Sequence, residues 1–222
     1  MSKTILSTAA GLALLMASAA HAGPNLVKNG NFETGLNDTI PEWSQTKPEV
    51  NSLLINTGQN YQTYAGGSGS PAALANQFLS FGAGNSSDSA YITQSFTAAQ
   101  TGLHHLAFDF GAFGGTQTLS FGLFDTNSLA LVLSDVMSKG GTANLDTLFS
   151  TYGYDVNLTA GSNYTLRFSN YLSQTGSADA LLDNVSLAAV PEPTTWAMMI
   201  GGLAVVGLSM RRRSVRANVQ FA

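Results

Sequence analysis

The chain has no cysteine. Disulfides, a thiol nucleophile and thiolate metal ligands are all excluded, so a domain that reaches an oxidising compartment must be held by its sheet core, with or without the help of a bound ion. Positive charge is scarce away from the two ends. Between Gly23 and Val190 the basic side chains are Lys28, Lys47, Lys139 and Arg167 against twelve carboxylates, a formal charge of about −8. A surface of that sign repels nucleic acid and offers nothing to anionic phosphates, while neutral sugars and divalent cations stay compatible with it. Histidine is limited to His21, His104 and His105. Neighbours on a strand point to opposite sides, so His104 and His105 do not chelate one metal together. No segment reads as a nucleophile elbow, and no pair of carboxylates is nominated by spacing for glycosidase chemistry. The chain reads as no enzyme.

Helix-length amphipathic stretches are also missing between Gly23 and Val190, and period-two segments stand in their place. Leu106, Phe108, Phe110 and Ala112 alternate with Asp109 on the opposite side. Leu119, Phe121 and Leu123 alternate with Ser120 and Gly122, and Tyr164, Leu166 and Phe168 with Thr165, Arg167 and Ser169. Further strands are expected at Val50–Asn56, Gln77–Phe81, Tyr91–Thr97, Leu129–Val136, Phe149–Leu158 and Leu181–Leu187. Turn signals separate them, among them Asn29-Gly30, Thr101-Gly102, Gly140-Gly141 and Ala160-Gly161. Short strands with one apolar and one polar face predict two packed antiparallel sheets, an all-β sandwich. Thr57 to Ala75 breaks the pattern and reads as a long surface loop. Sugar rings bind on flat aromatic faces, which makes Tyr61 and Tyr64 in that loop, with Trp43, the candidate ligand aromatics. Trp43 is equally suited to plug the core near the N-terminus. Phe108, Phe110, Phe121 and Phe168 are expected in the core.

The ends are different in kind. Lys3, an apolar run from Ile5 to Ala20 and the triplet Ala20-His21-Ala22 describe a secretory signal peptide cleaved after Ala22, the alternative being an uncleaved anchor helix. At the other end Val190-Pro191-Glu192-Pro193 precedes an uncharged run from Thr194 to Met210, closed by Arg211, Arg212 and Arg213. At about 1.5 Å per residue the run reaches roughly 25 Å, a little short of a bilayer core of about 30 Å, and arginines extending toward the headgroups make up part of the difference. The arginines orient it with the preceding domain outside the cytoplasm. Pro191 and Pro193 keep the backbone before the helix extended and accessible. The expected organisation is a signal peptide over 1–22, a β-sandwich over 23–189, a sorting segment with a transmembrane helix over 190–216, and a short tail over 217–222.

The order of Pro191-Glu192-Pro193, apolar helix and arginine cluster resembles the PEP-CTERM sorting signal of Gram-negative, exopolysaccharide-producing bacteria. The resemblance implies processing by an exosortase, a transient stay in the inner membrane and release to the cell surface or matrix; a plain C-terminal anchor is the alternative. The stretch Asn25-Leu26-Val27-Lys28-Asn29-Gly30-Asn31-Phe32-Glu33-Thr34-Gly35 and the stretch Leu181-Leu182-Asp183-Asn184-Val185-Ser186-Leu187 resemble the opening and closing strands of galactose-binding-like jelly-roll modules, the fold of many carbohydrate-binding modules. That resemblance implies a structural calcium near the meeting of first and last strands, with Glu33 and Asp183 at the matching positions. Asp183 carries an independent argument: on a regular strand it shares a face with Leu181, Val185 and Leu187, where a carboxylate is costly unless paired with donors or a cation. A backbone-bonded or salt-bridged aspartate without metal is the alternative. The combined expectation is a non-catalytic exported surface or matrix protein that binds extracellular polysaccharide. The competing expectations are a self-associating matrix component without small ligand and a small secreted hydrolase.

Overall fold

A computed structural model describes residues 23–46, 53–57, 77–81, 90–113, 115–140, 149–170, 179–191 and 199–208. Ala20, Ala22, Tyr61, Tyr64, Glu192, Pro193 and Arg211 to Arg213 lie outside these residues. Pro24–Ala189 forms one compact unit. Among the described residues it contains ten strands: β1 (Ser44–Thr46), β2 (Leu53–Thr57), β3 (Gln77–Phe81), β4 (Tyr91–Thr97), β5 (Gly102–Phe113), β6 (Gln117–Asp125), β7 (Leu131–Lys139), β8 (Phe149–Leu158), β9 (Asn163–Asn170) and β10 (Asp179–Ala189). They make two five-stranded sheets, β1-β4-β9-β6-β7 and β2-β3-β10-β5-β8, and every pairing is antiparallel. The all-β sandwich expected from the alternating segments is the fold observed.

The core is the set of inward positions of both sheets. Ile92, Leu119, Phe121, Leu123, Leu166 and Phe168 come from the first sheet, and Leu79, Leu106, Phe108, Phe110, Leu182 and Leu187 from the second. Phe108 joins them: its ring meets Phe168 at 5.0 Å and Phe121 at 5.5 Å, both across the sandwich, and stacks with Tyr152 and Tyr154 on its own side. Among the described residues every core residue belongs to Pro24–Ala189, so this unit has what it needs to fold by itself. At the open side of the sandwich the Tyr154 hydroxyl on β8 donates to Asp135 on β7 at 2.8 Å, tying one sheet's edge to the other's. Burial and the neighbouring carboxylate both push the Tyr154 phenol above its ordinary value, so it stays a neutral donor.

The opening segment is tied to the closing strand. Leu26 N–H donates to the Leu187 carbonyl at 2.8 Å, Val185 N–H to the Gly30 carbonyl at 2.8 Å, and Leu187 N–H to Asn25 Oδ1 at 2.9 Å. From the other sheet, Gln94 on β4 holds Lys28 from both sides, accepting from its N–H at 2.8 Å and donating to its carbonyl at 2.9 Å. Gly30 is required by this closeness, because a Cβ there would overlap the Val185 carbonyl oxygen. Gly30→Ala is therefore expected to lower stability by about 1–3 kcal/mol, the range for overpacking a filled site. A urea unfolding midpoint indistinguishable from that of the unaltered domain would refute this reading of the contact.

Two expectations are corrected here. Of the two roles open to Trp43 the core plug is the one observed and the ligand role falls: it is 6 % exposed, packs on Phe32 and Phe168, and its indole N–H donates to the Asn29 carbonyl. Asp183 does not share a face with Val185 and Leu187. Asp183 lies opposite Asp109 while Ser186 lies opposite Ala107, so β10 carries one more residue than β5 across this step. Asn184, with φ of 51°, absorbs it. The bulge leaves Val185 and Leu187 in the core with Ala180 and Leu182, and turns Asp183 to the other side with Leu181.

Candidate functional site

The outward face of the first sheet follows from its registers. On β4 the outward residues are Tyr91, Thr93, Ser95 and Thr97, which lie opposite Ser169, Arg167, Thr165 and Asn163 on β9. On β6, Ser120, Gly122 and Phe124 lie opposite Ser169, Arg167 and Thr165. Cross-strand hydroxyl pairs run through this surface: Ser120 with Ser169 at 2.7 Å, Ser95 with Thr165 at 2.9 Å and Thr118 with Ser138 at 3.1 Å. Such pairs suit a wet sheet face, where Ser and Thr satisfy each other and present oxygen to solvent.

An open groove of about 560 Å³ lies in this surface, reaching across β9, β6 and β7. Its floor is made by Gly122. A Cβ there would come within 2.7 Å of Phe124 Cε2 and 2.8 Å of Cζ, with Leu131 Cδ1 at 3.7 Å, so the absence of a side chain lets the Phe124 ring lie down over the strand. A register shift at the end of β6 places Leu131 opposite Phe124, so the bulge aims Leu131 at the same spot. The β6–β7 turn that carries them is fixed by Asp125, whose Oδ1 accepts from the N–H groups of Asn127 and Ser128 and from the Ser128 hydroxyl. Those bonds lower the Asp125 carboxyl below its ordinary value. Phe124 is half-buried and lines the groove, with the exposed Leu131 and Val136 along β7.

Arg167 stands across from Gly122 on the central strand β9. Its guanidinium carbon sits 3.9 Å from the centroid of the Tyr91 ring, a diagonal cross-strand contact that fixes the planar group while leaving its N–H donors along the sheet surface. Among the described residues no carboxylate pairs with it. The groove therefore offers an aromatic ring, a braced guanidinium and serine hydroxyls. The carboxylate that lines it, Asp135, has both oxygens engaged, Oδ2 by Tyr154 and Oδ1 by the Val136 N–H. Among the described residues that line the groove, Asp135 is the single carboxylate, so they bring no carboxylate pair together there.

Other residues singled out from the sequence are placed as follows. Glu33 is exposed and accepts from the Gln77 N–H at 3.0 Å. Asp183 is buried and accepts from the Asn184 N–H at 2.7 Å. Calcium takes six to eight oxygens, and no group of three histidine or carboxylate residues that could hold a metal occurs among the described residues. His104 is buried with Nδ1 3.0 Å from the Gly102 carbonyl, whereas His105 is exposed and pairs with Asp155 at 2.6 Å. Phe124 went unmarked in the sequence, although its spacing of two from Gly122 on a polar face is a signal in plain view.

In the tail, residues 199–208 are helical and expose Ile200, Leu203, Val205 and Leu208. No helix among the described residues is long and apolar enough to cross a membrane; the rest of the apolar run lies outside those residues. Residues 189–213 match one family description. They form a PEP-CTERM protein-sorting motif. The PEP-CTERM motif marks the chain for export, membrane sorting and processing by an exosortase. No curated protein matches the chain. Solved structures similar to it include TmCBM61 in complex with beta-1,4-galactotriose, at 15% identity over 73% of this chain and 97% of that one, TM-score 0.49. A CBM4 is similar at 11% identity over 73% and 98%, TM-score 0.48. The CBM22-1 xylan-binding domain of Xyn10C from Paenibacillus barcinonensis is similar at 16% identity over 78% and 99%, TM-score 0.47. At these identities the likeness is one of architecture.

Proposed function

We propose that this is a non-catalytic glycan-binding protein of the cell surface or extracellular matrix, delivered there through its PEP-CTERM tail, and that the groove of the first sheet holds the glycan. The observation that carries this reading is the Phe124 ring laid over Gly122 beside Arg167, in a groove whose other lining includes the hydroxyls of Ser120, Ser134 and Ser169. A sugar ring stacks its apolar face on an aromatic ring, and its hydroxyls are fixed by polar groups at the sides.

The test is Phe124→Ala in the domain Pro24–Ala189, measured by retention in gels containing soluble polysaccharides. Loss of a stacking platform should weaken binding tenfold or more, which corresponds to about 1.4 kcal/mol. Because Phe124 lies outside the buried core, the unfolding midpoint should barely move. Retention unchanged by the substitution would place the glycan elsewhere. A self-associating matrix component without ligand would instead show concentration-dependent assembly and no retention by any polysaccharide.

A further inference from the structure

We infer that the groove selects an acidic polysaccharide, one bearing carboxylates on its sugar rings, and that Arg167 is the residue that reads the carboxylate. This rests on the groove being a glycan site at all. The domain's net charge argues for a neutral ligand, but the distribution of that charge over the fold argues otherwise. The two outer faces of the sandwich differ in sign. Strand alternation and register place Asp109 and Asp155 on the outer side of the second sheet, with Asp179 and Asp183 buried on the same side. On the outer side of the first sheet the described positions of β4, β6, β7 and β9 carry hydroxyls, a few apolar groups and Arg167, and no carboxylate. Asp135 on β7 is opposite Phe121, an inward position, and is used by Tyr154. An anion that approaches this groove meets the Arg167 cation and a single like charge at the groove's edge, Asp135, whose oxygens already accept from Tyr154 and the Val136 N–H.

Arg167 is also prepared for a planar anion. Tyr91 supports the flat side of the guanidinium at 3.9 Å, and among the described residues none of its N–H groups is spent on an acceptor. A stacked guanidinium loses little freedom on binding and can present two parallel N–H donors to a carboxylate, the geometry that makes such pairs strong and specific. Phe124 lies two positions further along β6 from Gly122, the residue opposite Arg167. A hexuronate ring lying on Phe124 would carry its carboxylate toward the guanidinium. The acidic residues on the far sheet are more than a layer of packed side chains away, and at physiological salt, where charges are screened over about 8 Å, they weaken the approach of a polyanion only slightly.

The experiment compares the domain Pro24–Ala189 on polygalacturonate, on alginate and on carboxyl-reduced polygalacturonate, which has the same backbone without the charge. Binding to at least one of the two acidic polymers is expected, with tenfold or greater loss when polygalacturonate is the bound polymer and its carboxyls are reduced. Arg167→Gln should remove the preference for the acidic form while keeping residual, Phe124-dependent retention, and Arg167→Lys should restore part of it, since a lysine keeps the charge without the paired donors. Equal binding of reduced and acidic polymers, or acidic binding unmoved by Arg167→Gln, overturns the inference and leaves the glycan site standing. Failure on both acidic polymers also overturns it. Loss of Phe124 dependence on every polymer overturns the site itself. Unfolding midpoints for each variant separate these outcomes from misfolding.

Discussion

Phe108→Ala is expected to cost about 3–5 kcal/mol, the range for emptying a buried phenylalanine site, and to unfold most of the margin by which this domain is stable. Phe108 is fully buried and is the ring on which both sheets converge: Phe121 and Phe168 approach it edge-on from the first sheet, and Tyr152 and Tyr154 lie stacked beside it on the second. Removing it opens a void that neighbours on two separate sheets cannot close without shifting strand positions fixed by hydrogen bonds. Domains of this size are stable by only about 5–15 kcal/mol, and this one has no disulfide to limit its unfolded state. With about 2–4 °C lost per kcal/mol, the melting temperature should fall by roughly 10 °C. Urea unfolding gives the direct measure, as a shift in midpoint at unchanged slope. A loss below about 1 kcal/mol would mean that the sheets are held together elsewhere. The contrast with Phe124→Ala makes the comparison sharper, since those two phenylalanines differ mainly in which side of a sheet they occupy.

That difference of side was legible in the sequence wherever strands are regular. Leu106, Phe108 and Phe110, then Leu119, Phe121 and Leu123, then Leu166 and Phe168 alternate with polar residues, and all are in the core. Alternation is a local property, so local sequence carries it. It fails at Asp183 because the one-residue bulge at Asn184 resets the phase of β10, and a positive φ at an asparagine leaves no mark in the pattern of hydrophobicity. Trp43 was ambiguous for a related reason. It lies just ahead of β1, where no alternation tells inside from outside, and only its packing on Phe32 and Phe168 decides. The groove was less legible still. Arg167 could be read as outward-facing, but its position across from Gly122 comes from the β6–β9 register, a pairing of residues remote in sequence. The acid-free outer face of the first sheet also emerges only once the strand order is known, because β4, β9, β6 and β7 are not consecutive in the chain.

Substitutions in the tail should act on location rather than stability. Glu192→Ala, and separately replacement of Arg211, Arg212 and Arg213 by alanine, are expected to leave a tail-bearing form in the membrane fraction of an exosortase-producing host, while the unaltered chain is shortened and released. The two changes work through different physics. Glu192 is the one ionisable residue between the domain and the apolar run and has a proline on each side in the sequence, a pattern that disfavours helix, so its loss should remove the feature an enzyme at the outer membrane face could read. By the preference of basic residues for the cytoplasmic side, the arginines are expected to hold the inner end there. Without them the apolar segment loses both its orientation and its stop, and residues such as Ile200, Leu203 and Leu208, exposed along the helix, would be free to pass the membrane or aggregate. Immunoblots of membrane and medium fractions, with mass spectrometry of the mature C-terminus, read both effects. The arginine variant should also differ from Glu192→Ala in protease accessibility of the tail end from outside, since only the former disturbs orientation. Unchanged size and release in both variants would show that neither the acidic tripeptide nor the basic cluster is used, and that a different feature of the tail directs its fate.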